Sequence, residues 1–320
     1  MSRLMRQGAL AATGASLVCV LVRDVRAVQV PPAKQPAKAP TKQRPAQPAT
    51  ARRSQGPAQR PESPANPQAR GSELMVVATD FHFEAPEQVD AGLVHIRLVN
   101  RGREPHHILV MKVNRLARLS EIEEVLRSND WSPPWSQAMG GPESVLPGAT
   151  SSASMVLEPG RYVIACVVAS PSSHRRHFMD GMIRELAVVS PGRSWFRTAL
   201  PPTEVTLRLN EWNYELSAPV LPGRRTIRVV NMGKREHQVA FVRLLPGKTA
   251  AEAMHWVESP TGAPPFEVAG GTTGLSPTES VNVEAAFLPG EYLLLCNLYD
   301  PLGRKSHLQM GMVKRIVVGG

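Results

Sequence analysis

From Glu73 onward the chain runs in short stretches of alternating apolar and polar residues broken by turn residues, the mark of half-buried strands. Val94-His-Ile-Arg-Leu-Val-Asn100 is one such stretch, ending in the turn Asn100-Arg-Gly102; Thr226-Ile-Arg-Val-Val-Asn231, with Gly233 after it, repeats the pattern. Further on, Ala153, Met155 and Leu157 share one strand face, as do Val281, Val283, Ala285 and Phe287. The turns Pro159-Gly160 and Pro289-Gly290 then launch strands on which Tyr162, Ile164 and Cys166, or Tyr292, Leu294 and Cys296, face one way. Closing strands are predicted over Ile183–Val189 and Val313–Val318. Each pass also holds a helical insert, with Leu119, Ile122 and Leu126, or Ala250, Met254 and Val257, at helical spacing. Both inserts open on a capping-box sequence, Ser120-Glu-Ile-Glu123 and Thr249-Ala-Ala-Glu252. A Gly-Gly pair follows each, Gly140-Gly141 and Gly270-Gly271. The pattern predicts an all-β chain in two tandem passes.

The candidate chemistry repeats with the strands. Cys166, His177 and Met182 recur as Cys296, His307 and Met312, each 130 residues later. Asn100, Gly102 and His106 recur as Asn231, Gly233 and His237 at an offset of 131. His107 aligns with Gln238, which has no imidazole, so the repeat selects His106 as the shared donor. Thiolate, imidazole and thioether donors suit copper better than calcium or magnesium, which take oxygen. His174 followed by Met179 has the same spacing as His177 followed by Met182, so local spacing leaves two choices; the repeat selects His177. His82, His95 and His255 have no repeat partner and are assigned no role. A Cys166–Cys296 disulfide is disfavoured, because equivalent positions in two separate domains do not meet. Trp131 and Trp135 are expected to cover the first insert.

On these motifs, Asn-x-Gly-x-x-x-His and Pro-Gly-x-Tyr-x-x-x-Cys…His-x-x-x-x-Met, residues 72–320 resemble the cupredoxin family of blue copper proteins, twice over. The resemblance implies two Greek-key β-sandwiches. It also implies two type 1 coppers per chain, held by His106, Cys166, His177 and Met182 and by His237, Cys296, His307 and Met312. One departure stands out: ten residues separate cysteine from the second histidine, where small family members have two to four. Asp300-Pro-Leu-Gly303 has the composition of a turn that folds this loop back.

Composition changes the picture at the N-terminus. A basic opening (Arg3, Arg6) and a fifteen-residue apolar run from Gly8 to Val22 read as a secretory signal cleaved after Ala27; the alternative is an uncleaved anchor. A bilayer span needs about 20 residues. Residues 28–71 are rich in Pro, Ala, Lys and Arg and lack the apolar residues for a core, so they read as a disordered spacer. Its alternative role is to rest on anionic membrane or cell-wall polymer. The chain's net charge of +10 lies wholly in residues 1–70, which excludes a basic nucleic-acid footprint on the domains expected at 72–190 and 201–320.

The reading is an exported protein, periplasmic or extracellular, that carries electrons to and from a redox partner protein. Alternatives are copper sequestration or delivery to a copper donor or acceptor, a metal-free interaction module, and a two-domain copper oxidase or nitrite reductase. The enzymes need further histidines, typically one directly before the cysteine and His-x-His pairs. Here Ala165 and Leu295 precede the cysteines and no His-x-His occurs.

Overall fold

The structure, a computed structural model, describes residues 71–128, 133–192 and 198–319. The segments expected to be a signal and a spacer, up to Arg70, and Trp131 lie outside the described residues. The first pass forms β1 (Ser72–Thr79), β2 (His82–Glu84), β3 (Gln88–Asp90), β4 (Gly92–Asn100), β5 (Leu109–Val113), α1 (Leu119–Ser128), β6 (Ser136–Gly140), β7 (Thr150–Leu157), β8 (Gly160–Ala165) and β9 (Ile183–Val189). The second forms β10 (Val205–Asn210), β11 (Asn213–Leu216), β12 (Gly223–Asn231), β13 (His237–Leu244), α2 (Ala250–Glu258), β14 (Phe266–Leu275), β15 (Ser280–Phe287), β16 (Gly290–Leu295), β17 (Tyr299–Asp300), β18 (Lys305–Ser306) and β19 (Val313–Val318).

Two long sheets carry both passes. One runs β11-β10-β12-β15-β7-β4-β1-β2 and the other β19-β16-β13-β14-β6-β5-β8-β9-β3, with β17 and β18 a separate hairpin. Each pass is a Greek-key sandwich, with the chain crossing between sheets from β4 to β5 and from β12 to β13. The faces that alternate in the sequence are the faces that meet inside. Leu74, Ile96, Leu98, Met155 and Ile164 are fully buried in the first pass, and Leu207, Ile227, Val283 and Leu294 in the second. Each such side chain contributes roughly 1.5–3 kcal/mol of transfer free energy.

The passes join where β7 pairs with β15 (Ala153 opposite Val283) and β6 with β14 (Met139 opposite Leu275). Pro142 also pairs with Thr272 across this seam. Gly141 and Gly271 sit beside it. A Cβ on Gly141 would stand 2.1 Å from the Ile108 carbonyl oxygen, and one on Gly271 2.0 Å from that of Val239. Both glycines also have positive φ, 147° and 140°.

The helices correct one expectation. Thr249 caps α2, its side chain accepting from the Glu252 N–H while the Glu252 carboxylate accepts from the Thr249 N–H. In the first pass Ser120 is not the cap, because α1 already begins at Leu119. There the Glu121 carboxylate, two residues before Glu123, accepts the Arg118 N–H (2.7 Å) at the start of the helix. Trp135 is partly buried against the core with the Arg115 guanidinium 4.3 Å over its ring.

Tyr162 and Tyr292, both fully buried, tie the strands carrying the cysteines to the turns before them, donating to the carbonyls of Glu158 (3.0 Å) and Leu288 (2.9 Å). Tyr292 also accepts the Leu288 N–H. Tyr292→Phe is expected to lower stability by about 1 kcal/mol, because the exposed end of this turn can rehydrate. A urea midpoint unchanged within error would show that the hydroxyl contributes nothing.

Candidate metal centres

Each site draws one histidine from the stretch leading into its next strand, His106 late in the β4–β5 connection and His237 opening β13, and the remaining residues from the segment between the last two long strands. Asn100 shapes the first connection. Its Nδ2 donates to the Glu104 and Val145 carbonyls, and its Oδ1 accepts the Gly102 N–H. Asn231 repeats this with the Arg235 and Leu275 carbonyls and the Gly233 N–H. Gly102 is required by space, since a Cβ there would lie 2.6 Å from His106 Nε2 and 2.4 Å from Asp80 Oδ1. Gly233 stands in the same relation to His237 and Glu211.

The ten-residue excursion after each cysteine is a folded hairpin. Ala169 bridges Arg176, and the His177 N–H returns to the Val168 carbonyl (2.9 Å). In the second pass β17 pairs with β18 and the His307 N–H returns to Leu298 (2.8 Å). Asp300 does fold that loop back, its carboxylate accepting the N–H groups of Leu302 and Gly303. The detour therefore delivers each histidine beside the second residue after its cysteine.

The result is two buried triangles of donors. His106 Nδ1 and His177 Nδ1 are 3.0 Å apart, and Cys166 Sγ lies 4.0 Å and 3.4 Å from them. His237 Nδ1 and His307 Nδ1 are 3.2 Å apart, with Cys296 Sγ 3.3 Å from His307. His174, the other sequence candidate, is exposed on the hairpin; His177 is in the triangle. Met182 and Met312 are wholly buried. The Met182 carbonyl accepts the Cys166 N–H and its N–H reaches His177 O, while Met312 does the same with Cys296 and His307. Cys166 and Cys296 are both free thiols. His107 is outside the triangle; its Nε2 accepts the Val167 N–H (2.9 Å). His95 is bonded to Ser154 (2.8 Å).

No family model matches the sequence, and no curated protein does. Among solved structures, the chain is similar to reduced auracyanin from Roseiflexus castenholzii, at 15% identity over 37% of this chain and 96% of that one, with a TM-score of 0.27. It is similar to a multicopper oxidase at 13% identity (78% of this chain, 89% of that one, TM-score 0.23). It is similar to a copper nitrite reductase from Nitrosomonas europaea at 14% identity (78% and 95%, TM-score 0.23). What decides the matter is internal: each Greek-key sandwich takes one histidine from the entry to its fifth strand or to β13, and cysteine, histidine and methionine from its last connection. The fold is that of the cupredoxins, present twice.

Electrostatics in both sites favours neutral donors. Burial pushes the Cys166 and Cys296 thiols up to about 12. Burial also drives His177 down to about 3 and His237 and His307 down to about 4, and lowers His106. Two neutral imidazoles with their Nδ1 atoms 3.0 Å apart cannot both aim lone pairs inward without repulsion unless a proton or a cation lies between them. In the first site Asp80 Oδ1 (2.8 Å) and Glu104 Oε2 (3.0 Å) sit on the outer Nε2 atoms of His106 and His177. Those carboxylates hold Nε2–H and turn Nδ1 lone pairs toward the centre. Three donors roughly 2.0–2.3 Å from one ion in a plane would be about 3.5 Å apart, so the triangle fits a trigonally bound metal.

Sequence reading missed the residues around the donors. Asp80, Phe81 and Glu104 flank the first site, and Glu211, Trp212 and Arg235 the second. Phe81 packs on His177 (ring centroids 4.7 Å) and Trp212 on His307 (4.9 Å). The signal was available, because these three pairs are related by the same offset of 131 that relates His106 to His237.

Proposed function

We propose that the protein is an exported electron carrier with two type 1 copper centres, one in each cupredoxin fold. The observation that supports this is the pair of buried His–Cys–His triangles with Nδ1 atoms turned inward. Copper bound there supplies a one-electron Cu(II)/Cu(I) couple. His106, Cys166 and His177, and His237, Cys296 and His307, would hold it, with buried Met182 and Met312 as further donors. Each thiol would have to lose its proton to bind a metal. Burial keeps water out, and the hairpins and the Asn100 and Asn231 networks hold the donors in place, so that little moves when the charge changes. The Gln238 N–H donates to Cys296 Sγ (3.4 Å), withdrawing charge from the sulfur.

Catalysis is not proposed, because Ala165 and Leu295 stand where a histidine would precede each cysteine. Export rests on the Gly8–Val22 run before Ala27, and residues 28–70 are proposed as a tether for the unit that follows. The partner is a redox protein.

The test is copper loading of the purified chain. Two equivalents should bind with intense visible thiolate-to-Cu(II) absorption, Cys166→Ala or Cys296→Ala should each remove about half of it, and neither nitrite nor oxygen should be turned over. A colourless protein whose copper content is unchanged in the double variant overturns the reading.

A further inference from the structure

The two triangles have the same donors but different surroundings. In the first, both outer ring nitrogens end on carboxylates, His106 on Asp80 (2.8 Å) and His177 on Glu104 (3.0 Å). The glutamate is held from its other oxygen by the Ser170 hydroxyl (3.0 Å), and Asp80 accepts the N–H groups of Arg103 and Glu104. In the second, Glu211 replaces Asp80 and accepts the Lys234 N–H, yet His237 Nε2 is buried with no hydrogen-bond partner. Arg235 replaces Glu104. Its guanidinium pairs with Asp300 (2.7 Å) and lies 5.6 Å from the Trp212 ring, which packs on His307.

Resting on the copper reading above, we propose that the two sites are electrochemically inequivalent. The Asp80–His106 and Glu104–His177 pairs make the first the cupric-stabilising site of lower potential, and the second is the cuprous-favouring site of higher potential. A carboxylate that accepts Nε2–H leaves more electron density on Nδ1, and the better donor stabilises the doubly charged ion more than the singly charged one. Net charge acts in the same direction, since Asp80, Arg103 and Glu104 sum to one negative charge and Glu211, Lys234, Arg235 and Asp300 to none. The contrast proposed here rests on the direct N–H···carboxylate bonds, which have a partner at both histidines of the first site and none at His237. With copper loaded at both sites, a reductant such as ascorbate would therefore be oxidised to its radical by the second site first, while the first site would stay oxidised.

The experiment is a redox titration, followed by visible absorption, of copper-loaded full-length Cys296→Ala (first site only) and Cys166→Ala (second site only). The first site should show the lower potential. Glu104→Gln, tested in the Cys296→Ala chain, keeps the size and an acceptor for Ser170 but points an amide donor at His177. It should raise the potential without moving the thermal midpoint, a split that a purely structural role would not produce. Equal potentials, the reverse order, or no shift with Glu104→Gln would overturn the proposal. If Glu104→Gln does not fold, the order of the two single-site potentials decides alone. Copper reading and inequivalence fail differently: absence of bound copper appears in metal analysis before any potential is read and refutes both, whereas two loaded sites of equal potential refute only the inequivalence.

Discussion

Gly271→Ala is expected to leave the chain largely unfolded under conditions where the parent is native. The added Cβ would sit 2.0 Å from the Val239 carbonyl oxygen and 3.0 Å from the carbonyl carbon, both backbone atoms of the paired strand β13. No rotamer change relieves a clash with backbone, and a φ of 140° is itself strained for any residue with a side chain. Separating β14 from β13 would break the pairing of Ala240 with Gly271 and Val239 with Thr272. The cost is about 4 kcal/mol or more, in the range reserved for substitutions that break a specific feature. Because Val239 lies two residues from His237, any surviving native chain should also bind metal poorly in its second site. Urea titration of the two chains measures this; a loss below about 1 kcal/mol would mean that the close approach does not exist.

Asn100→Asp should be more damaging than Asn100→Ala, although it is the closer isostere. Asn100 is fully buried and spends its amide on two carbonyls and its oxygen on one N–H. Alanine leaves those groups without partners, at roughly 1–3 kcal/mol for each that stays dry. Aspartate keeps the acceptor for Gly102 but sets an anionic oxygen against the carbonyls of Glu104 and Val145, so it must be repelled or be protonated. The expected order of stability is parent, Ala, Asp, and the loop that fixes His106 should loosen in the same order. Thermal midpoints of the three chains give the answer directly, and an aspartate variant as stable as the parent would refute the assigned amide orientation.

Much of this architecture was legible because it is written twice. The offsets of 130 and 131 aligned the strands, selected His106 over His107 and His177 over His174, and placed both cysteines at the ends of strands with buried faces. What stayed hidden was what two copies do differently or what the backbone decides alone. The cap of α1 was misplaced at Ser120 because a capping box is a local pattern, whereas Arg118 and Glu121 already start the helix. The long cysteine-to-histidine loop looked like a departure in sequence and is closed by hairpin bonds that composition hints at only through Asp300. Glu104 and Arg235 were passed over because neither is a metal ligand. Their importance lies in what they touch, which only a structure shows.

The seam between the two passes has a further consequence. Pro142 pairs with Thr272, and Ala153 with Val283, and each of these is a residue facing its own counterpart 130 positions on. Self-opposed pairs mark a local dyad, so the contact has the isologous form of a homodimer interface, here joined into one chain. Covalent linkage makes that pairing independent of protein concentration and covers an exposed sheet edge on each half. It also releases the halves from identity. In a true homodimer, a charge reversal such as Glu104 to Arg235 would have to occur at both centres, whereas a fused pair can change one and keep the other.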